Sequence, residues 1–183
     1  DEWQALNTND YCALNFDRLH IFQWGNMLSS DKLAELWTQM ITPLRQLAED
    51  LNINLKVLDL GGGLGIPYTL DTPTLSWDAL IEALAKIKCD AGVTELWMEL
   101  GRYAVGECGH YATPVVERKL NYGQQQVIMS GGINHLLRPA VTSQDFPARL
   151  LRDSNAENQA MSLYGPLCTA LDCLGEHQLP SDR

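Results

Sequence analysis

The sequence predicts an α/β chain in which parallel units of a β/α barrel are followed by a mostly β segment. Three observations carry that prediction. Apolar segments that read as buried strands recur at 18–22, 55–60 and 95–99, starting roughly 37 to 40 residues apart, the pace of a β/α repeat. Helical patterns fill the intervals between them. Residues suited to chemistry stand at successive strand ends, as they do on the carboxyl face of a β/α barrel.

Between the first two strands, Ser30 or Asp31 can cap a helix, and Leu33, Leu36, Trp37, Met40, Ile41, Leu44 and Leu47 fall at spacings of three and four. Residues 31–50 therefore read as one amphipathic helix. Ser76 can cap a shorter helix through Lys88, with Leu80, Ile81, Leu84 and Ile87 on one face. After Arg102 the pattern changes to a helical or mixed segment to about Glu117, then 119–121, Gly123 and an apolar strand at 127–129. Ser130-Gly131-Gly132 breaks that strand, Pro139 and Pro147 punctuate the next stretch of chain, and 154–159 is polar enough for a loop. The late segment reads as mostly β, and 178–183 ends without an evident final element. The expected organisation is a partial barrel over 1–115 and a partial β domain over 116–183. Three β/α units cannot close a barrel, which takes about eight strands and ~250 residues, so the chain reads as a piece of a longer protein.

The 183 residues are 45% hydrophobic, enough for a substantial core. A formal net charge of −10, with no basic run, excludes nucleic acid and anionic membrane surfaces as partners, since both need clustered Lys and Arg. No apolar stretch approaches the ~20 residues of a membrane span. The start, Asp1-Glu2-Trp3-Gln4, lacks the regions of a signal peptide, so a reduced cytoplasm is expected. The 5 cysteines (Cys12, Cys89, Cys108, Cys168 and Cys173) are odd in number and contain no C-x-x-C pair. Neither a disulfide framework nor a metal site is suggested.

The second strand runs into Gly61-Gly62-Gly63-Leu64-Gly65, where bare backbone N–H groups can approach a phosphate. The run fails the dinucleotide pattern G-x-G-x-x-G, because Ile66 stands where the last glycine should, and no G-K-[S/T] follows. A tight turn needing positive φ accounts for one or two of these glycines, not four in five. Glu99, at the third strand's end, can hold a proton on a pyridine nitrogen or form a salt bridge to Arg102. Arg102 can grip phosphate or carboxylate oxygens in a bidentate manner. His20 is either a hydrogen-bonded core histidine or a ring that stacks on a cofactor. Cys168, in a loop after Tyr164, reads from spacing alone as a small hydrophobe.

Together these residues resemble the pyridoxal-phosphate decarboxylases of the alanine-racemase-like fold, the group containing diaminopimelate and ornithine decarboxylases. The likeness runs nearly end to end. Leu58-Asp59-Leu60-Gly61-Gly62-Gly63-Leu64-Gly65 resembles that family's phosphate-binding loop, and Glu99-Leu100-Gly101-Arg102-Tyr103 its E-P-G-R-Y, with leucine for proline. Gly131-Gly132-Ile133-Asn134-His135-Leu136-Leu137-Arg138-Pro139-Ala140 is similar to the G-M-N-D-L-I-R-P-A segment that begins the β-rich domain. Gly165-Pro166-Leu167-Cys168-Thr169-Ala170-Leu171-Asp172 resembles the G-P-x-C segment that reaches a partner subunit's active site.

The resemblance implies a TIM-type barrel that binds pyridoxal 5'-phosphate, a homodimer with shared sites, and a role for each matching residue. His20 would stack on the pyridine face, and Glu99 would pair with the ring nitrogen. Gly61, Gly62, Gly63, Gly101 and Arg102 would hold phosphate. Cys168 would protonate the carbon left when carbon dioxide departs, and Arg138 would contact a substrate carboxylate.

Departures bear on substrate: the family has an acidic residue after the cysteine where Thr169 stands, and a tyrosine shortly after R-P-A where Val141-Thr142-Ser143 stands. His20-Ile21-Phe22-Gln23-Trp24-Gly25-Asn26 and the G-P-L-C-T-x-L-D form of the cysteine segment are similar to a narrower branch that decarboxylates conjugated amino acids during siderophore or antibiotic assembly. A citryl-linked amino acid is the substrate this implies, with diaminopimelate or an ornithine/arginine-type substrate as the alternative. Lys32, Lys56, Lys86, Lys88 and Lys119 all lie on helices, within a strand, or past the barrel. The family's cofactor-anchoring lysine would precede Asp1, and a further phosphate-side tyrosine would follow Arg183. The chain is thus expected to be a central fragment of a protein of roughly 400 residues, inactive alone. A reading from another class is a non-catalytic homologue that binds protein; retention of Glu99, Arg102 and Cys168 argues against it. A racemase of the same fold would resemble its relatives in using arginine at the ring nitrogen, against which Glu99 stands.

Overall fold

The strands of the first unit are short, and the turns at their ends matter more than the ladders themselves. The structure is a computed structural model describing residues 2–68, 72–143 and 146–182. It divides into two units with separate cores, one on residues 2–67 and 73–109, the other on 110–182 with Tyr68 and Thr72.

In the first unit β1 (Arg18–His20), β2 (Val57–Asp59) and β3 (Glu95–Trp97) form a parallel sheet in that order. Leu19, Leu58 and Leu96 stand in register and pack into one cluster with Leu33, Trp37, Leu44, Leu80 and Ile87. Those partners come from α1 (Ser30–Asp50) and α2 (Trp77–Ala91), so both helices lie on one face. The predicted strands were longer at their carboxyl ends, where single bonds replace the ladder: Ile21 N–H donates to the Asp59 carbonyl and Leu60 N–H to that of Trp97, both at 2.9 Å.

Helix boundaries differ slightly from expectation. Ser29, not Ser30 or Asp31, caps α1, its side chain accepting from Lys32 N–H at 3.3 Å. The Ser30 hydroxyl instead accepts from Ser76 N–H at 2.9 Å and donates to the Ser76 carbonyl, tying the starts of the two helices. Ser76 caps α2 as predicted, but the helix runs past Lys88 to a left-handed Gly92 at φ 70°. No helix of the described residues is long and apolar enough to cross a membrane.

The other face of the sheet is not covered by these helices. There the Arg18 guanidinium lies 4.6 Å over the Trp97 ring, whose Nε1–H donates to Glu95 at 2.9 Å. β1 and β3 are the sheet's edges.

The turn after β2 lies backbone to backbone against its neighbours. Glu99 N–H donates to the Gly61 carbonyl and Met27 N–H to that of Gly63, both at 2.8 Å. A Cβ on Gly61 would collide with the Ile21 carbonyl, one on Gly62 would stand 2.6 Å from the Glu99 carbonyl, and one on Gly63 2.9 Å from that of Trp24. Gly65 is equally confined by Asn26 and Met27. Gly61 and Gly63 also have φ of 64° and 108°. Close approach therefore accounts for all four glycines, where positive φ alone accounts for two.

The second unit is a four-stranded sheet in the order β4 (Val115–Asn121), β5 (Gln124–Met129), β6 (Asn158–Tyr164) and β7 (Cys173–Pro180). Its core is Val127, Met129, Met161, Leu163, Leu174 and Leu179. The segment expected to be helical or mixed to about Glu117 is helical only in α3 (Gly101–Val105), and Val115 opens a hairpin turning at left-handed Tyr122 and Gly123. Pro139 does not interrupt structure, since it occupies the first turn of α4 (Leu137–Thr142), where no amide donor is needed. The loop predicted over 154–159 yields to β6 at Asn158. β7 overturns the expectation of no final element: an irregular register around Gly175 (φ 96°) breaks the alternation, letting Leu174 and Leu179 both reach the core.

The glycine packing makes a stability prediction. Gly61→Ala or Gly62→Ala is expected to destabilise the complete protein by about 2 kcal/mol or more, because backbone cannot yield as a flexible side chain can. Gly101→Ala, where a Cβ meets nothing within 4 Å, should stay within about 0.5 kcal/mol of wild type in urea unfolding.

Candidate active site

The carboxyl ends of β1, β2 and β3 deliver three titratable side chains to one place. His20 ends β1 in register with Asp59, which ends β2, and Glu99 lies two residues past Trp97. The nearest ligand atoms of His20, Asp59 and Glu99 all lie within 4.8 Å of one another. His20 Nε2 stands 3.7 Å from Glu99 Oε2, with the two side chains 50% and 61% exposed. His20 is thus not a core histidine, and its ring is available at the surface of the strand ends. Asp59, a residue the motif reading assigns no role, shapes the turn: its Oδ1 accepts from Gly61 N–H at 2.9 Å. The signal for it is an aspartate at a strand end two residues ahead of the first glycine, the spacing at which its carboxylate can accept from that glycine's N–H. One imidazole and two carboxylates are also a donor set for a borderline divalent metal, although Asp59 Oδ1 already holds the turn.

Beside this cluster lies a cleft of about 300 Å³ lined by Gly62, Gly63, Glu99, Gly101 and Arg102 with Phe22, Gly25, Asn26, Leu64, Leu100 and Tyr103. Five of the seven residues expected to bind cofactor therefore line one space; His20 adjoins it through Glu99, and Gly61 begins the turn without lining the cleft. Among the described residues, nothing accepts from the N–H groups of Gly62 or Gly63. Gly101 opens α3, so its amide is one of the unpaired donors of a helix start. Arg102 Nη1 is buried with no hydrogen-bond partner. The alternative salt bridge between Glu99 and Arg102 is not made, since Glu99 faces His20.

Such a donor set fits a phosphorylated pyridine. A buried guanidinium nitrogen without an acceptor is costly, and a phosphate oxygen would satisfy it. Free glycine amides add neutral donors for the same anion, and Glu99 offers an acceptor to a ring N–H.

The other predicted residues belong to the second unit. Arg138 is in α4, with its Nε buried and without a hydrogen-bond partner and its guanidinium 5.9 Å from the Tyr68 ring. Tyr68 in turn stacks on Phe146 at 4.4 Å and 8°. Cys168 and Thr169 are exposed in the loop between β6 and β7, so Cys168 is not a buried hydrophobe. Thr169 Oγ1 accepts from Leu171 N–H at 3.3 Å, which leaves its hydroxyl proton to donate elsewhere. None of the lysines stands at the carboxyl end of β1, β2 or β3; Lys56 directly precedes β2 and the others lie in helices or β4.

Comparison with known proteins gives one consistent picture. The family profile described as "Pyridoxal-dependent decarboxylase, C-terminal sheet domain" matches residues 17–182. The chain is 27% identical over 174 residues to the L-glutamyl-[BtrI acyl-carrier protein] decarboxylase of Niallia circulans, covering 88% of this chain and 41% of that protein. It is 33% identical over 141 residues to the diaminopimelate decarboxylase of Haemophilus influenzae, covering 76% and 34%. To the 2-[(L-alanin-3-ylcarbamoyl)methyl]-2-hydroxybutanedioate decarboxylase of Staphylococcus aureus it is 24% identical over 170 residues, covering 87% and 42%. The chain thus spans only 34% to 42% of the length of these curated relatives. The solved diaminopimelate decarboxylase of M. jannaschii, in co-complex with L-lysine, matches with a TM-score of 0.76 and 26% identity over 88% of this chain and 38% of that one. The strand-end cluster, the cleft and these matches agree: the chain belongs to the pyridoxal-phosphate-dependent decarboxylases of the ornithine, diaminopimelate and arginine family.

Proposed function

We propose that the complete protein decarboxylates a conjugated amino acid, a citryl-linked one, on pyridoxal phosphate held in the cleft beside β2 and β3. The observation that carries this reading is Arg102 Nη1, buried without an acceptor beside free glycine amides and an available carboxylate. When bound, the protonated pyridine supplies an electron sink for the pair left as carbon dioxide departs.

The side chains have distinct tasks. Glu99 holds the proton on the ring nitrogen, and His20, 3.7 Å from Glu99, lays its imidazole against the ring. Arg102, with the amides of Gly62, Gly63 and Gly101, holds the phosphate, and Gly61 makes the turn that presents them. Cys168 Sγ gives its proton to the substrate's α-carbon after decarboxylation. Arg138 grips a substrate carboxylate, and Thr169 donates its hydroxyl proton to another.

Thr169 supports a carboxylate-bearing substrate. An acidic side chain there would attract a distal amine and repel a citryl carboxylate, whereas a neutral hydroxyl can donate to the latter. The name of the Staphylococcus aureus relative describes a hydroxybutanedioate joined to an amino acid through an amide, and that of the Niallia circulans relative an amino acid joined to a carrier protein. A second reading, diaminopimelate as substrate, is favoured by the 33% identity to the Haemophilus influenzae enzyme.

We further infer that the first unit is three β/α units of a TIM-type barrel and the second the start of a β domain, the change falling between α3 and β4. The bare sheet face with Arg18, Glu95 and Trp97, and the two edge strands, support this arrangement. Homodimerisation with shared active sites belongs to the same reading.

Arg102→Ala in the complete protein should weaken cofactor affinity about 10- to 100-fold in an absorbance titration, the 1.5–3 kcal/mol of a hydrogen bond to a charged group. Mass spectrometry for carbon dioxide loss should show turnover of a citryl-linked amino acid, and Thr169→Asp should lower its kcat/KM by about tenfold or more. If diaminopimelate alone reacts, the role given to Thr169 is wrong. Mixing Glu99→Ala with Cys168→Ala subunits should restore activity in verified mixed dimers; no recovery would contradict shared sites.

A further inference from the structure

Asp172 ends the Cys168 segment and has no part in the chemistry above, yet among the described residues it is the most buried acidic side chain of the second unit, at 1% exposure. A carboxylate in such a place is costly unless hydrogen bonds replace its water. Two backbone donors from separate segments do so: Oδ1 accepts from Ile133 N–H and Oδ2 from Leu167 N–H, each at 2.7 Å. No cation pairs with it among the described residues. The backbone adds two more ties, Gly165 N–H donating to the Asp172 carbonyl at 2.9 Å and Asp172 N–H to the Thr169 carbonyl at 3.1 Å.

Two glycines make room for this arrangement. A Cβ on Gly132 or on Gly165 would collide with the Asp172 carboxylate. One side chain therefore closes the loop that carries Cys168 and fastens it to the turn that leads into α4 and Arg138. An apolar side chain could fill the same space without desolvating a charge, so filling space is a poor reason for an aspartate here.

We propose that Asp172 is a positioning residue that fixes Cys168 and the Arg138 turn relative to one another through its two carboxylate oxygens. This rests on the roles given above to Cys168 and Arg138. Asparagine matches its size but offers one acceptor oxygen, so its amide would turn an N–H toward Leu167 or Ile133.

The test uses the complete, cofactor-loaded protein and Asp172→Asn. Because a displacement of about 1 Å can cost on the order of 100-fold, kcat should fall at least tenfold, and KM should rise as the Arg138 turn shifts. The rate of Cys168 alkylation by iodoacetamide should change about threefold or more, with cofactor affinity unaltered. A folded variant with a lower melting temperature but wild-type kcat, KM and Cys168 alkylation would overturn the proposal. Should the variant not fold, hydrogen exchange on the wild-type protein decides: the Ile133 and Leu167 amides should be protected, and rapid exchange at either would overturn the proposal. Loss of the functional reading is separately visible, since Cys168→Ala would then still form the α-protonated amine product at the wild-type rate while Asp172→Asn still altered Cys168 alkylation.

Discussion

The candidate site depends on how closely three backbones approach one another at the strand ends. The turn over Gly61 to Gly65 lies against the Ile21 to Met27 loop on one side and Glu99 on the other, with carbonyl oxygens where side chains would ordinarily stand. That approach sets the position of Glu99, because its own N–H is bonded to the Gly61 carbonyl. It also leaves the Gly62 and Gly63 amides without partners among the described residues, and so able to serve an anion. Packing and binding are therefore two consequences of one constraint.

The second unit solves a related problem by other means. The Cys168 loop and the Arg138 turn leave the paired strands β6 and β5, the backbones of Gly132 and Gly165 lie close together, and the Asp172 carboxylate bridges the two segments. Glycines recur for the same reason in both units: Gly132 and Gly165 admit a side chain as Gly61 and Gly62 admit a carbonyl. Asp172 is thus as tightly specified by its surroundings as the strand-end glycines are.

Much of this was legible in the sequence where a periodic pattern met a chemical one. The α1 stripe from Leu33 to Leu44 outweighed Pro43, whose cost inside a helix is about 3 kcal/mol, because the buried face is long. Glu99, Arg102 and the glycines read correctly as neighbours because all follow parallel strands at the same end of one sheet. The reason for four glycines was not legible, since it lies in carbonyls of loops 40 residues away in sequence, such as that of Ile21 facing Gly61. Nor was β7, where an irregular register at Gly175 shifts Leu174 and Leu179 out of simple alternation. Asp172 stood in plain view within its motif, but burial and two distant amide donors are properties of the folded chain.

The central claim is that the carboxylate at the end of β3 holds a proton on the pyridine nitrogen of the family's cofactor. Nitrogen-15 NMR of ring-labelled pyridoxal phosphate bound to the complete protein reads that proton directly. The account predicts a protonated ring nitrogen in the wild type and an unprotonated one in Glu99→Gln. An unprotonated ring nitrogen in the wild type, or the same shift in both proteins, would contradict it.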